Sequence, residues 1–134
     1  MTSALDVEAS DQAVSRGDDI EAQITISNAE KVGSVEVGVV CTEYYDEDVT
    51  EETMDDHGIM QQETHRKTLH ATAHEDWRPI ESTVGVQTVP FTIPAEAPFS
   101  YEGDCVSLKW ELVARGRRQN QPDAEAGQAI IVHP

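Results

Sequence analysis

Lysine is nearly missing from this chain, with three among 134 residues (Lys31, Lys67 and Lys109). Arginine raises the bases to 9, against 26 acids, for a formal net charge of -17. Phosphate contacts need clustered Lys and Arg, so this balance argues against a nucleic-acid partner. It argues equally against attraction to anionic lipid. No apolar run approaches 18 residues, so no transmembrane helix is expected. The opening MTSALDVEASDQ has neither a basic nor an apolar leader region, so no signal peptide is expected and a cytoplasmic location follows by default. Cysteine is limited to Cys41 and Cys105, which in that compartment remain thiols. Also absent are a P-loop, G-x-G-x-x-G, G-x-S-x-G and H-E-x-x-H. Their absence lowers the expectation of an enzyme, and no cofactor is expected.

What is present is alternation. Ile20, Ala22, Ile24 and Ile26 share one phase, opposed by Glu21, Gln23, Thr25 and Ser27. Val35, Val37, Val39 and Cys41 form a second such set, and Val106, Leu108, Trp110, Leu112 and Ala114 a third. Side chains alternate across a strand, so each set predicts a strand with one buried face. Weaker strands are expected at Leu5–Ala9, about Glu63–Glu75, Ser82–Ile93 and Gly127–Val132. Within Ser82–Ile93 the apolar phase changes between Val86 and Val89, which predicts a bulge or a bend between sheets. Turns are expected at 16–19, 28–33, 102–104 and 116–123. Seven or more short strands, no helical period, no repeat and no flexible linker predict one all-β domain over residues 1–134. Its expected architecture is a two-sheet antiparallel β-sandwich of immunoglobulin-like type.

Residues 46–62 break the pattern. Asp46, Glu47, Asp48, Glu51, Glu52, Asp55 and Asp56 crowd into them, and they read as an acidic loop or insertion. Thr50 offers a cap for one short helix there. The run does not match a calcium-loop pattern. It reads as a solvated surface, or as a contact for a basic partner. Arg115, Arg117 and Arg118 are the one basic cluster. They read as charge balance at a turn, or as a patch that meets the acidic run of a neighbouring copy.

His57, His65, His70 and His74 lie near Asp55, Asp56, Glu63, Glu75 and Asp76. Such a cluster raises the alternative of a metal-binding protein or metal-dependent hydrolase built on the His57–Asp76 segment. Four residues on a strand span roughly 13 Å, which keeps His70 and His74 from sharing a zinc. The plainer reading is polar residues on a solvated strand face. Cys41 falls on an apolar phase and reads as core.

The segment from Val89 to Leu112 resembles the arrestin-like domain family. A strand runs into a proline-bounded crossover, a Ser-Tyr-x-Gly turn follows, and then an alternating strand with an aromatic residue. Those features fall at Phe91, Pro94, Pro98, Ser100, Tyr101, Gly103 and Trp110. Arg16-Gly17-Asp18 and the strand after it resemble the family's glycine turn and second long strand. Val35–Tyr45 resembles the strand before its variable insertion. The resemblance implies a non-catalytic, adaptor-like binding or scaffold module with a protein partner. Relatives of this kind, including bacterial sporulation-control proteins, usually carry two sandwiches in tandem, and this chain has room for one. Pairing of two copies through a strand edge is therefore also expected. Prolines 90, 94 and 98 remove backbone donors along one path, which independently marks an edge or a crossover.

Overall fold

A computed structural model describes residues 4–28, 32–118 and 123–134. Residues 29–31 of the turn expected at 28–33, and 119–122 of the turn expected at 116–123, lie outside the described residues.

The alternating segments form strands, and so do segments without clear alternation. They are β1 (Leu5–Ala9), β2 (Ala13–Ser15), β3 (Asp19–Ile26), β4 (Val35–Met54), β5 (Met60–Ile80), β6 (Gly85–Thr92), β7 (Tyr101–Glu102), β8 (Val106–Gly116) and β9 (Ala124–His133). No helix occurs among the described residues. One sheet has three strands in the order β1-β3-β6. The other has six, in the order β2-β9-β8-β4-β5, with β7 also on β8. All pairings are antiparallel except β2 on β9. The fold is thus the expected all-β, two-sheet sandwich.

The inner faces meet in one apolar core. Ile20, Ala22, Ile24 and Ile26 of β3 oppose Val35, Val37, Val39 and Cys41 of β4, with Trp110, Leu112 and Ala114 of β8 alongside. No polar or charged residue of the described set is buried. Burying a Val, Leu, Ile or Phe side chain is worth about 1.5–3 kcal/mol, so these positions carry the stability of the sandwich. Trp110 is the largest fully buried side chain, and its indole N–H donates to the Pro98 carbonyl at 3.1 Å. A buried indole needs such a partner.

The proline-bounded segment is the crossover between sheets. Ile93 N–H donates to Asp18 O, and Gly17 N–H to Ile93 O, which ties the start of the crossover to the turn after β2. Gly17 has φ 87, a left-handed conformation that glycine adopts without strain. At the far end Ser100 N–H donates to Val132 O, and Val132 N–H to Ser100 Oγ. Pro90 lies within β6, an edge strand of the smaller sheet.

Two expectations need correction. First, β6 pairs with β3 without a register shift, so the phase change at Val86 and Val89 is not a bulge. Val89 and Phe91 face the core opposite Ala22 and Ile20, while Val86 is simply 57% exposed on the outer face. The irregularity lies elsewhere: between β4 and β5 the register shifts at Cys41/Thr42, leaving Ala73 as an extra residue in β5. Second, residues 46–62 form no short helix, and only residues 55–59 of them are a loop. β4 and β5 continue as paired strands to Met54↔Met60.

Candidate interaction surface

The pairing of β4 with β8 ends at Tyr45↔Val106, closed by Asp46 N–H donating to Cys105 O. Beyond that point β4 pairs with β5 alone, and the two strands leave the sandwich as a two-stranded ribbon. A hairpin turn closes it. Gly58 N–H donates to Asp55 O, Asp55 N–H to Ile59 O, and Gly58 has φ 79. This is a tight turn with a glycine at the left-handed position. The Asp55 carboxylate accepts the amides of His57 at 2.9 Å and Ile59 at 2.8 Å. Asp55 therefore builds the turn, Asp56 lies within it, and β4 carries the other five acids of the run.

Alternation divides the ribbon into two faces. Asp46, Asp48, Thr50, Glu52 and Met54 share one with Met60, Gln62, Thr64, Arg66 and Thr68. On it, Thr68 donates to Asp46 at 2.8 Å, and Arg66 lies 3.7 Å from the same carboxylate. Glu47, Val49 and Glu51 share the other with Glu63, His65 and Lys67. Glu51 and Glu63 stand directly opposite, a repulsive pair in isolation. Lys67 Nζ at 2.6 Å from Glu51 offsets it, and His65 sits 3.6 Å from both carboxylates. The Lys67 hydrogen bond and charge hold the Glu51 carboxyl below its ordinary range.

Sequence reasoning missed the tip. Met54, Ile59 and Met60 are 67%, 59% and 55% exposed around the turn. The readable signal was three apolar residues flanking Asp-Asp-His-Gly, in a stretch otherwise polar.

The basic cluster lies at the other end of β4. Arg115 pairs with Glu36 at 3.0 Å and stacks over the Trp77 ring at 3.8 Å. Trp77 lies flat on Gly38, where a Cβ would meet its ring at 2.5 Å. Arg115 and Arg117 line a cleft of about 400 Å³ with Ser34, Glu36, Pro79 and Asp123. Arg118 is half-buried nearby in sequence. Glu36 and Asp46 are ten residues apart on one strand, roughly 33 Å. The arginines and the acidic ribbon therefore do not meet within one chain.

The histidines are dispersed. His57 is in the turn and His65 on the ribbon. His70 pairs opposite Tyr44 on the outer face, while the extra Ala73 turns His74 to the inner face opposite Cys41. Asp76 follows His74 on the inner face and bonds Arg78 at 3.4 Å, while Glu75 on the outer face accepts from Trp77 Nε1 at 3.2 Å. Among the described residues no group of three or more His, Cys, Asp or Glu side chains is placed to hold a metal ion.

Both cysteines are free thiols. Burial pushes the Cys41 thiol up to about 11, with Glu43 adding to the effect, so it is an inert core residue. Cys105 is exposed and accepts from Arg66 at 3.0 Å. Tyr101 is a surface tyrosine, 52% exposed, with its ring against Gly103.

No family model matches the sequence, and no curated protein matches it. Solved structures do. The fold is similar to that of Spo0M, the sporulation control protein of Bacillus subtilis. The two superpose with a TM-score of 0.56 at 17% identity, over 99% of this chain and 51% of that one. The likeness is one of fold, and it agrees with the arrestin-like resemblance carried by residues 89–112. This chain spans about half the length of the Spo0M chain. No helix among the described residues is long and apolar enough to cross a membrane.

Proposed function

We propose that the chain is a non-catalytic, adaptor-like module that binds other proteins, with the β4–β5 ribbon as a principal contact. One observation carries the reading. The ribbon leaves the core, pairs with no other strand among the described residues, and still has a built turn with exposed Met54, Ile59 and Met60 at its end. An isolated two-stranded hairpin is marginal in water, so a ribbon of this length gains most by lying against something else. Its carboxylates select a basic partner surface, and its apolar tip suits a pocket within that surface. A strand edge adds a second contact, through which two copies of the chain pair. The similarity to Spo0M supports a scaffold of this general kind through its fold. In this reading the protein works in the cytoplasm, where Cys41 and Cys105 stay reduced, and its surface acidity suits a salt-rich interior.

The test replaces residues 48–66 by an Asn-Gly turn. The shortened chain is expected to keep the sandwich, seen as an unchanged near-ultraviolet spectrum from Trp110. Proteins cross-linked to the intact chain in its own cell extract should then be lost. An unchanged set of cross-linked proteins would reject the ribbon as the contact.

A further inference from the structure

The outer edge of β5 is free, and its charges are arranged in a way that specifies what covers it. Among the described residues β5 pairs with β4 alone, over Met60–Ile80. An open edge of that length is a template for another strand. The chain carries -17 overall, yet residues 63–78 of β5 balance three acids (Glu63, Glu75, Asp76) with three bases (Arg66, Lys67, Arg78). This strand can approach a second copy of itself without the repulsion that the rest of the surface would impose.

The order of these charges fixes a register. We infer that two copies pair antiparallel through β5 about a two-fold axis at His70, joining their larger sheets into one. The inference rests on the reading of the chain as a module that meets partners through a strand edge, and it names the edge and the partner. With His70 opposite His70 of the second copy, Leu69 faces the partner's Ala71 and Thr68 the partner's Thr72. The extra residue Ala73 advances the register by one beyond that point. Arg66 then faces the partner's Glu75, His65 the partner's Asp76, and Glu63 the partner's Arg78. Each contact occurs twice by symmetry.

The faces agree as well. Glu63, His65, Asp76 and Arg78 lie on the inner phase, and Arg66 and Glu75 on the outer, so each pair falls on one side of the joined sheet. That match exists only because of the bulge at Ala73. Without it, residues on either side would fall on opposite faces. Registers slipped by two residues have less of it: one places Glu63 opposite Asp76, and the other sets His65 opposite Arg78 and keeps Lys67 with Asp76 as its one ion pair within residues 63–78. Pro79, which has no N–H, lies just beyond the paired segment.

The pairing also supports the ribbon. Residues 63–68 of one copy lie against residues 72–78 of the other, where β5 is the edge of a six-stranded sheet. Each ribbon becomes an extension of its partner's sheet, which a lone hairpin lacks.

Analytical ultracentrifugation of the intact chain over a wide concentration range tests the pairing. A dimer is expected, weakened at least about tenfold by Arg66→Glu and recovered by Arg66→Glu with Glu75→Arg. In a Cys105→Ser background, His70→Cys should form a disulfide-linked dimer under mild oxidation, because opposed residues have Cα atoms about 4.5–5.5 Å apart. Thr72→Cys alone should not, since its own copy lies roughly 13 Å away. A strict monomer at every concentration overturns the pairing, as does a dimer indifferent to Arg66→Glu. A strict monomer removes the strand-edge contact between copies from the proposed function, but it leaves the ribbon as a contact for other proteins, whose test is their loss from the shortened chain.

Discussion

The sandwich body and the ribbon are built from the same two strands, yet different forces hold them. In Val35–Cys41, β4 lies between β5 and β8 and buries Val35, Val37, Val39 and Cys41 against the second sheet. From Asp46 to Met54 the same strand has one neighbour and buries nothing. Its order rests on cross-strand pairs such as Lys67–Glu51 and Thr68–Asp46, and on the Asp55 turn. Such exposed pairs contribute little each. One continuous strand thus passes from a region where side-chain loss is severe to one where it is nearly silent.

The sharpest break of that contrast is in the core. Trp110→Ala removes the largest buried side chain and is expected to cost about 3–5 kcal/mol, read as a fall in the denaturation midpoint. Met54→Ala at the tip should change stability by no more than about 0.5 kcal/mol in the same experiment. Gly38→Val comes next. Its side chain would occupy the place of the Trp77 ring and displace the Arg115 stack, for about 1–3 kcal/mol.

Arg78→Ala should have a smaller effect. Arg78 spans the two sheets, 4.7 Å over the Phe91 ring and bonded to the Pro90 carbonyl. Its loss is expected to cost about 1 kcal/mol, and Arg78→Lys should recover only part of that.

The smallest effect belongs to acid. The folded-state pKa of Glu51 is depressed, so its contribution is present above the ordinary carboxylate value of 4.5 and disappears as pH falls through the folded value. Amide shifts at Val49–Glu51 and Glu63–Lys67 should therefore move in that acidic window while those of Ile20–Ile26 stay fixed. Lys67→Met should move the Glu51 titration back toward its ordinary value.

The same contrast explains what could be read from the residues. Leu5–Ala9 and the alternating cores of β3, β4 and β8 were legible because one face is apolar and the other is not. The ribbon has no such asymmetry. Asp48 and Glu47 point to opposite faces, both solvated, and Asp and Glu are poor strand formers. Its strand character comes from pairing, and the local hints were Val49, Thr50, Thr53, Thr64 and the Asp55–Gly58 turn. The bulge at Ala73 left no mark at all, since Ala71, Thr72 and Ala73 are interchangeable in pattern. The arginines were legible as a cluster, but their commitment to Glu36 and Trp77 depends on β4, β5 and β8 lying side by side.

Hydrogen exchange on the intact chain at two concentrations tests the central claim, that the sandwich stands alone and the ribbon and β5 edge exist for contact. At high dilution the amides of Glu47–Met54 and Met60–Lys67 should exchange far faster than those of Ile20–Ile26 and Trp110–Ala114. At high concentration residues 63–78 should gain protection while the core stays unchanged. Ribbon amides as slow as the core at every dilution would contradict the account, because the ribbon would then be held by the chain's own fold.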